Sequence, residues 1–154
     1  MGAEAARERG RVVVAGGERA ALLSARLPGL ARDVEARRRL VRRYRQALAG
    51  VAGITVPYRD EDVELSSCYV MPVMVEDPEL RDPLRRFLLE ERAVQTSVLY
   101  PAIHEFRAFA ASHPARLPRS ELVARSQLTI PLFPGLADED QDRVVAALAE
   151  GLEG

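Results

Sequence analysis

The sequence contains no lysine; all 22 basic side chains are arginine. A guanidinium stays protonated and cannot replace the amine with which lysine forms a Schiff base. Asparagine and tryptophan are also missing, while Ala, Arg, Gly and Pro are abundant. That is the composition of a GC-rich genome, a bias that accounts for absent surface lysines but not for an absent catalytic one. The single cysteine, Cys68, excludes an internal disulfide and sits in an apolar run, where it reads as a small buried hydrophobe. A reducing cytoplasm is the expected compartment. The longest apolar stretch, Val70–Val75, is too short to cross a bilayer, and no apolar leader follows the charged Met1–Gly10. A net charge of -1 gives no electrostatic reason to expect nucleic acid or an anionic membrane. No Gly-x-Ser-x-Gly elbow, zinc-type ligand spacing or phosphate-cradling glycine loop occurs. Ser66, Ser67, Ser97 and His104 therefore do not add up to a self-contained hydrolase, and no metal site is expected.

What is present fits one domain with a real core: 154 residues, 47% of them hydrophobic. Residues 1–16 are weakly patterned, with a possible short strand at Arg11–Ala15. From Arg19 to Ala49 the period is helical, interrupted at Pro28-Gly29. The second piece carries Leu30, Val34, Val41, Tyr44 and Leu48 on one stripe. Its other face holds Arg37, Arg38, Arg39, Arg42, Arg43 and Arg45 and reads as a solvated face. In the preceding segment Leu22, Leu23, Leu27 and Leu30 cluster too densely for a free surface helix, so burial against another chain is expected. Gly50 and Gly53 end the long helix. Ile54–Pro57 reads as a short strand and Asp60–Glu64 as an acidic, solvated turn. Ser67–Val75 is a strand in which Pro72 argues for an edge or a bulge. Asp82-Pro83 reads as an N-cap and first helical residue for a helix to Arg92 with Leu84, Phe87 and Leu88 inward. Val94–Leu99 is a β-branched strand. Helices follow at His104–Ala111 and Pro118–Arg125, then a strand at Gln127–Pro131. Asp138 with Gln141 reads as a capping box for a last helix carrying Val144, Val145, Leu148 and Leu152. The alternation predicts an α+β fold, a two-layer sandwich of a small, mostly antiparallel sheet covered by helices.

Three stretches resemble the small C-terminal domain of DegT/StrS-type sugar aminotransferases. Ala36–Leu48 (ARRRLVRRYRQAL) is similar to the long helix leading into that domain. Val94–Phe106 (VQTSVLYPAIHEF) looks like the family's strand, Tyr-Pro pair and following His. Leu117–Leu136, with SELVARSQLTIPLFPGL, resembles its helix, Leu-Pro-rich strand and exit turn. The likeness covers residues 17–152, so the chain divides into a weakly structured segment 1–16 and an aminotransferase-like small domain 17–154. In such fold-type I enzymes a large N-terminal domain binds pyridoxal phosphate and supplies the lysine and the aspartate facing the pyridine nitrogen. The small domain closes over the substrate, and the active site is shared between two subunits. Where the family places a cofactor-reaching Asn before the long helix, this chain reads VVAGGERAALL, with no Asn.

The resemblance implies a substrate-facing role for His104 and Tyr100 and no catalytic residue on this chain. A neutral imidazole at position 104 is able to bond a sugar hydroxyl or a phosphate; a helix-start cap is its plain alternative. The Tyr100 ring, before Pro101 at a strand end, is expected to be packed. Glu105 and Arg107 should point elsewhere, and His113 should be a solvated loop residue. No cofactor is expected on the chain alone; pyridoxal phosphate enters only if a partner supplies the lysine. The expected partners are a second copy or a lysine-bearing large-domain subunit, with a sugar nucleotide as possible ligand. The implied function is one half of a split aminotransferase. The alternatives are a pseudoenzyme that binds and regulates a homologous aminotransferase or a sugar nucleotide, and a cofactor-independent enzyme using the old substrate cleft.

Overall fold

The computed structural model describes residues 17–109 and 116–153; the Arg11–Ala15 strand, His113 and the end of the His104–Ala111 helix lie outside them. The described residues divide into two units, one ending at Arg32 and one beginning at Asp33. In the first, α1 (Gly17–Arg26) passes through a 3-10 turn at Leu27–Gly29. Pro28 stands in the first turn there, where its missing N–H withholds the donor that would continue the α ladder. No residue of α1 is buried, and Leu22, Leu23 and Leu27 are each more than 60% exposed.

Helix α2 (Leu30–Leu48) buries Leu40, Val41, Tyr44 and Leu48. The expected stripe therefore holds from Val41 onward. Leu30, by contrast, is exposed, and the fully buried Leu40 was hidden among its arginine neighbours. The Tyr44 hydroxyl donates to the Pro131 carbonyl at 3.0 Å, and burial pushes its phenol well above the usual range. The arginine face is only partly covered, with the Arg39 and Arg42 side chains 57% and 40% exposed, but its guanidiniums are engaged. Arg37 and Arg38 donate to the carbonyls of Ser67 and Ser66 at 3.2 and 2.9 Å. Arg45 reaches those of Pro57 and Tyr58, both at 2.9 Å, and the carboxylate of Asp60. Arg42 pairs with Glu64, and Arg43 forks onto both oxygens of Asp142 at 2.8 and 2.9 Å. The helix is thus strapped to the 60s turn on one side and to the final helix on the other. The acidic turn is itself a 3-10 helix, Asp60–Leu65, its carboxylates engaged by these arginines and by Arg59.

The sheet has the order β1-β2-β3, all antiparallel: β1 (Ile54–Thr55), β2 (Met71–Val75) and β3 (Gln127–Ile130). Gly53, at φ 79°, makes the turn into β1 and its carbonyl accepts from the Glu76 amide at 2.9 Å. β2 is the central strand, so Pro72 is not in an edge strand. Its tolerance has a local reason. Thr129, opposite Pro72, exchanges both backbone hydrogen bonds with Ser97 at 3.0 and 2.8 Å. The Pro72–Thr129 pair is therefore a non-hydrogen-bonded one. The nitrogen of Pro72 faces the other side, where β1 pairs only with Met74 and Val75. The expected Val94–Leu99 strand shrinks to that one bridge at Ser97.

Helix α3 (Arg81–Glu90) starts earlier than Asp82-Pro83 implies: a 3-10 turn, Pro78–Leu80, leads into it, and Asp77 accepts from the Glu79 amide at 3.0 Å. It buries Leu84 and Leu88, with Phe87 half-buried. Past its last turn the chain doubles back through a left-handed residue. The Val94 amide reaches back to the Leu88 carbonyl at 2.7 Å across Ala93, which holds φ 53°. Helix α4 (Pro118–Ser126) feeds directly into β3. Helix α5 (Asp138–Glu153) buries Gln141, Val144, Ala147 and Leu148. Gln141 does not complete a capping box; its Nε2 donates to the Leu40 carbonyl of α2 at 3.0 Å. The α3–α5 contact closes at Gly151, where a Cβ would stand 2.6 Å from Leu84 and 2.7 Å from Phe87. Met71, Val73, Val75, Leu128 and Ile130 join these helices in one core. The result is the expected α+β fold, with a three-stranded sheet in place of four.

Candidate functional site

The segment after Ser97 leaves the sheet because its next amide is taken by a side chain. The Leu99 N–H donates to Gln127 Oε1 at 3.1 Å, and Gln127 Nε2 donates to the Thr129 hydroxyl at 2.7 Å. The Val94–Leu99 strand thus ends where Gln127 intercepts its ladder. From there residues 100–109 form an arm with one 3-10 turn, Ile103–Glu105, in place of the expected helix. Ala102 is buried, whereas Tyr100, Ile103, Phe106 and Phe109 are exposed. The Tyr100 ring, expected to be packed, is 73% exposed because the chain has already turned off the sheet when it reaches Tyr100-Pro101.

His104 is held differently. Its Nε2 lies 3.1 Å from Glu121 Oε1, with the two side chains only 13% and 17% exposed. The same carboxylate oxygen accepts the Leu117 amide at 2.8 Å. The Leu117 amide, and after it the His104 ring, hold the Glu121 carboxyl below the usual glutamate range. Glu121 is therefore an ionised, acceptor-only group, and the His104 nitrogen facing it must carry the proton. Glu121 sits in the first turn of α4, behind Pro118, where a negative charge suits the helix start. Sequence reading missed it. The visible signal was an acidic residue just inside a Pro-initiated helix; nothing in the sequence joined it to His104.

Grooves of about 500, 720 and 350 Å³ run along the sheet and α2, and none of the three is lined by His104 or Tyr100. Among the described residues no group of three His, Cys, Asp or Glu side chains gathers to hold a metal, and no helix is long and apolar enough to cross a membrane. Among the described residues the ionisable groups on the arm or bonded to it are Tyr100, His104, Glu105, Arg107 and Glu121. With no lysine anywhere in the 154 residues, they do not fit pyridoxal phosphate, and no step through that group is derived for them.

The sequence matches the DegT/DnrJ/EryC1/StrS aminotransferase family over residues 18–149. The chain belongs to this family. Over 134 residues it is 32% identical to a dTDP-4-dehydro-2,3,6-trideoxy-D-glucose 4-aminotransferase from Saccharopolyspora spinosa, covering 87% of this chain and 34% of that one. It is 33% identical to a pleiotropic regulatory protein from Geobacillus stearothermophilus, covering 85% of this chain and 35% of that one. Among solved structures it resembles the aminotransferase TlmJ from Streptoalloteichus hindustanus, with a TM-score of 0.75 and 32% identity over 84% of this chain and 34% of that one. The chain thus spans about a third of the length of the relatives it matches.

Proposed function

We propose that residues 17–152 work as the small domain of a nucleotide-sugar aminotransferase, with the cofactor-bearing lysine supplied by a large-domain partner outside these 154 residues. The observation that carries this reading is the match over residues 18–149 to one third of sugar aminotransferases, in a sequence without a lysine. In this reading the arm with Tyr100 and His104 is the substrate-facing wall. Exposed Tyr100, Ile103, Phe106 and Phe109 around a mostly covered His104 make a surface that a partner would complete. The exposed Leu22, Leu23, Leu27 and Leu30 are then the surface that meets the partner or a second copy. Changing Leu23 and Leu27 to Asp should abolish that association while the sheet stays folded, read by sedimentation. A non-catalytic, regulatory role is the second reading, favoured by the likeness to a pleiotropic regulatory protein.

The test is reconstitution. Given pyridoxal phosphate and an amino-acid donor that leaves as its keto acid, the chain alone should aminate no dTDP-keto-sugar; mixed with a lysine-bearing large domain of the family, it should yield the amino sugar, and His104→Ala should lower that yield. A mixture no more active than the large domain alone would refute the enzymatic reading and leave the regulatory one.

A further inference from the structure

We propose that Glu121 is the positioning residue of this wall: it fixes His104 as the Nε2–H tautomer and pins the arm to the start of α4, so that a ligand meets the ring's other nitrogen, Nδ1, as an acceptor. Two bonds to one oxygen carry the argument. Glu121 Oε1 takes the Leu117 amide at 2.8 Å and the His104 ring at 3.1 Å. The first sets the carboxylate on its own helix; the second ties to it a residue 17 positions away in sequence. Because a carboxylate only accepts, the proton of a neutral His104 ring must sit on Nε2, and Nδ1 is left with a lone pair. Gln127 fixes the near end of the same arm through the Leu99 amide, so the ring is placed from both sides.

The consequence is chemical selectivity. A neutral imidazole in this tautomer offers nothing to a phosphate oxygen, which needs a donor. It suits a hydroxyl or an ammonium group, the donors of an amino sugar or a polyol. That half of the inference rests on reading the arm as a substrate wall; the tautomer does not, and it is measurable without a partner, substrate or cofactor.

The experiment is nitrogen NMR of the full chain at pH 8, where an ordinary histidine is neutral. His104 should show the Nε2–H pattern with a slowly exchanging ring proton, and the Leu117 amide should be protected. Glu121→Gln, whose amide oxygen still accepts both bonds, should retain the two signatures. Glu121→Ala should lose both, while the core amides of Val73 and Leu128 stay unchanged. An Nδ1–H tautomer in the wild-type chain would overturn the proposal, even if Glu121→Ala fails to fold. So would an unchanged ring and Leu117 amide in a folded Glu121→Ala. Since these signals do not depend on turnover, failure of reconstitution would sink the enzymatic reading and leave this one standing.

Discussion

The scaffold and the arm are held by different means. In the scaffold, α2, the sheet, α3 and α5 share one apolar core, and arginines from α2 reach carbonyls or carboxylates on both sides. In the arm, residues 100–109 bury Ala102 and cover most of His104. They are otherwise tied by Gln127 at one end and Glu121 near the middle. Large aromatic and aliphatic groups at Tyr100, Ile103, Phe106 and Phe109 face outward there. Few buried apolar contacts and few backbone hydrogen bonds are the local conditions for low opening free energy.

That difference can be broken from the scaffold side with the largest effect. Leu40→Ala removes a fully buried side chain and should cost about 2–5 kcal/mol, read as a drop in the urea midpoint at unchanged slope. Gly151→Val drives a branched side chain into Leu84 and Phe87 and should cost about 1–3 kcal/mol through overpacking. If either is neutral, the α3–α5 and α2 packing described here is wrong. Ala93→Gly works in the other direction. The left-handed conformation at Ala93 suits glycine better, so a gain of roughly 0.5–1 kcal/mol is expected.

Acid should loosen the scaffold before it changes the core's apolar contacts. Arg43 holds Asp142, Arg92 holds Glu150 and Arg42 holds Glu64 below the ordinary carboxylate values of 3.8 for Asp and 4.5 for Glu. A carboxyl depressed in the folded state stabilises it above the unfolded pKa and loses that contribution as pH falls through the folded pKa. Stability should therefore be flat above about pH 5 and decline below pH 4.5. Asp142→Asn should make the decline shallower, and only slightly, because solvent screens exposed pairs. A steeper acid loss in this variant would contradict the assignment. The smallest global effect belongs to His104→Ala, which should leave the denaturation midpoint near wild type while changing the arm alone.

How much of this could be read from residues follows the range of the interactions. The helices α2, α4 and α5 and the strands β1 and β3 rest on local period and turn chemistry, and their spans came through within a few residues, while β2 begins at Met71 and not at Ser67. The Val94–Leu99 run did not become a strand, because whether a β-branched segment pairs depends on its neighbour, and here Gln127 takes the Leu99 amide. The partners of the arginines were hidden for the same reason: Arg38 finds the Ser66 carbonyl 28 positions away, and Arg43 finds Asp142 99 positions away. Asp138 and Gln141 have the spacing of a capping box, yet Gln141 is spent on the Leu40 carbonyl, a choice made by the packing of α5 on α2. The resemblance carried by the Tyr-Pro-x-x-His run made Tyr100 and His104 candidates, while Glu121 was invisible because its tie to His104 forms only once α4 lies beside the arm.

The measurement that bears most directly on the account is hydrogen exchange of the chain with and without a lysine-bearing large domain of the family. If residues 17–152 are the small domain of a shared site, two regions should slow together on mixing: the Leu22–Leu30 segment and the Tyr100–Phe109 arm. Amides of β2 and β3, already sealed in the core, should not change. Slowing confined to the arginine face of α2, or no slowing anywhere at saturating partner, would contradict it.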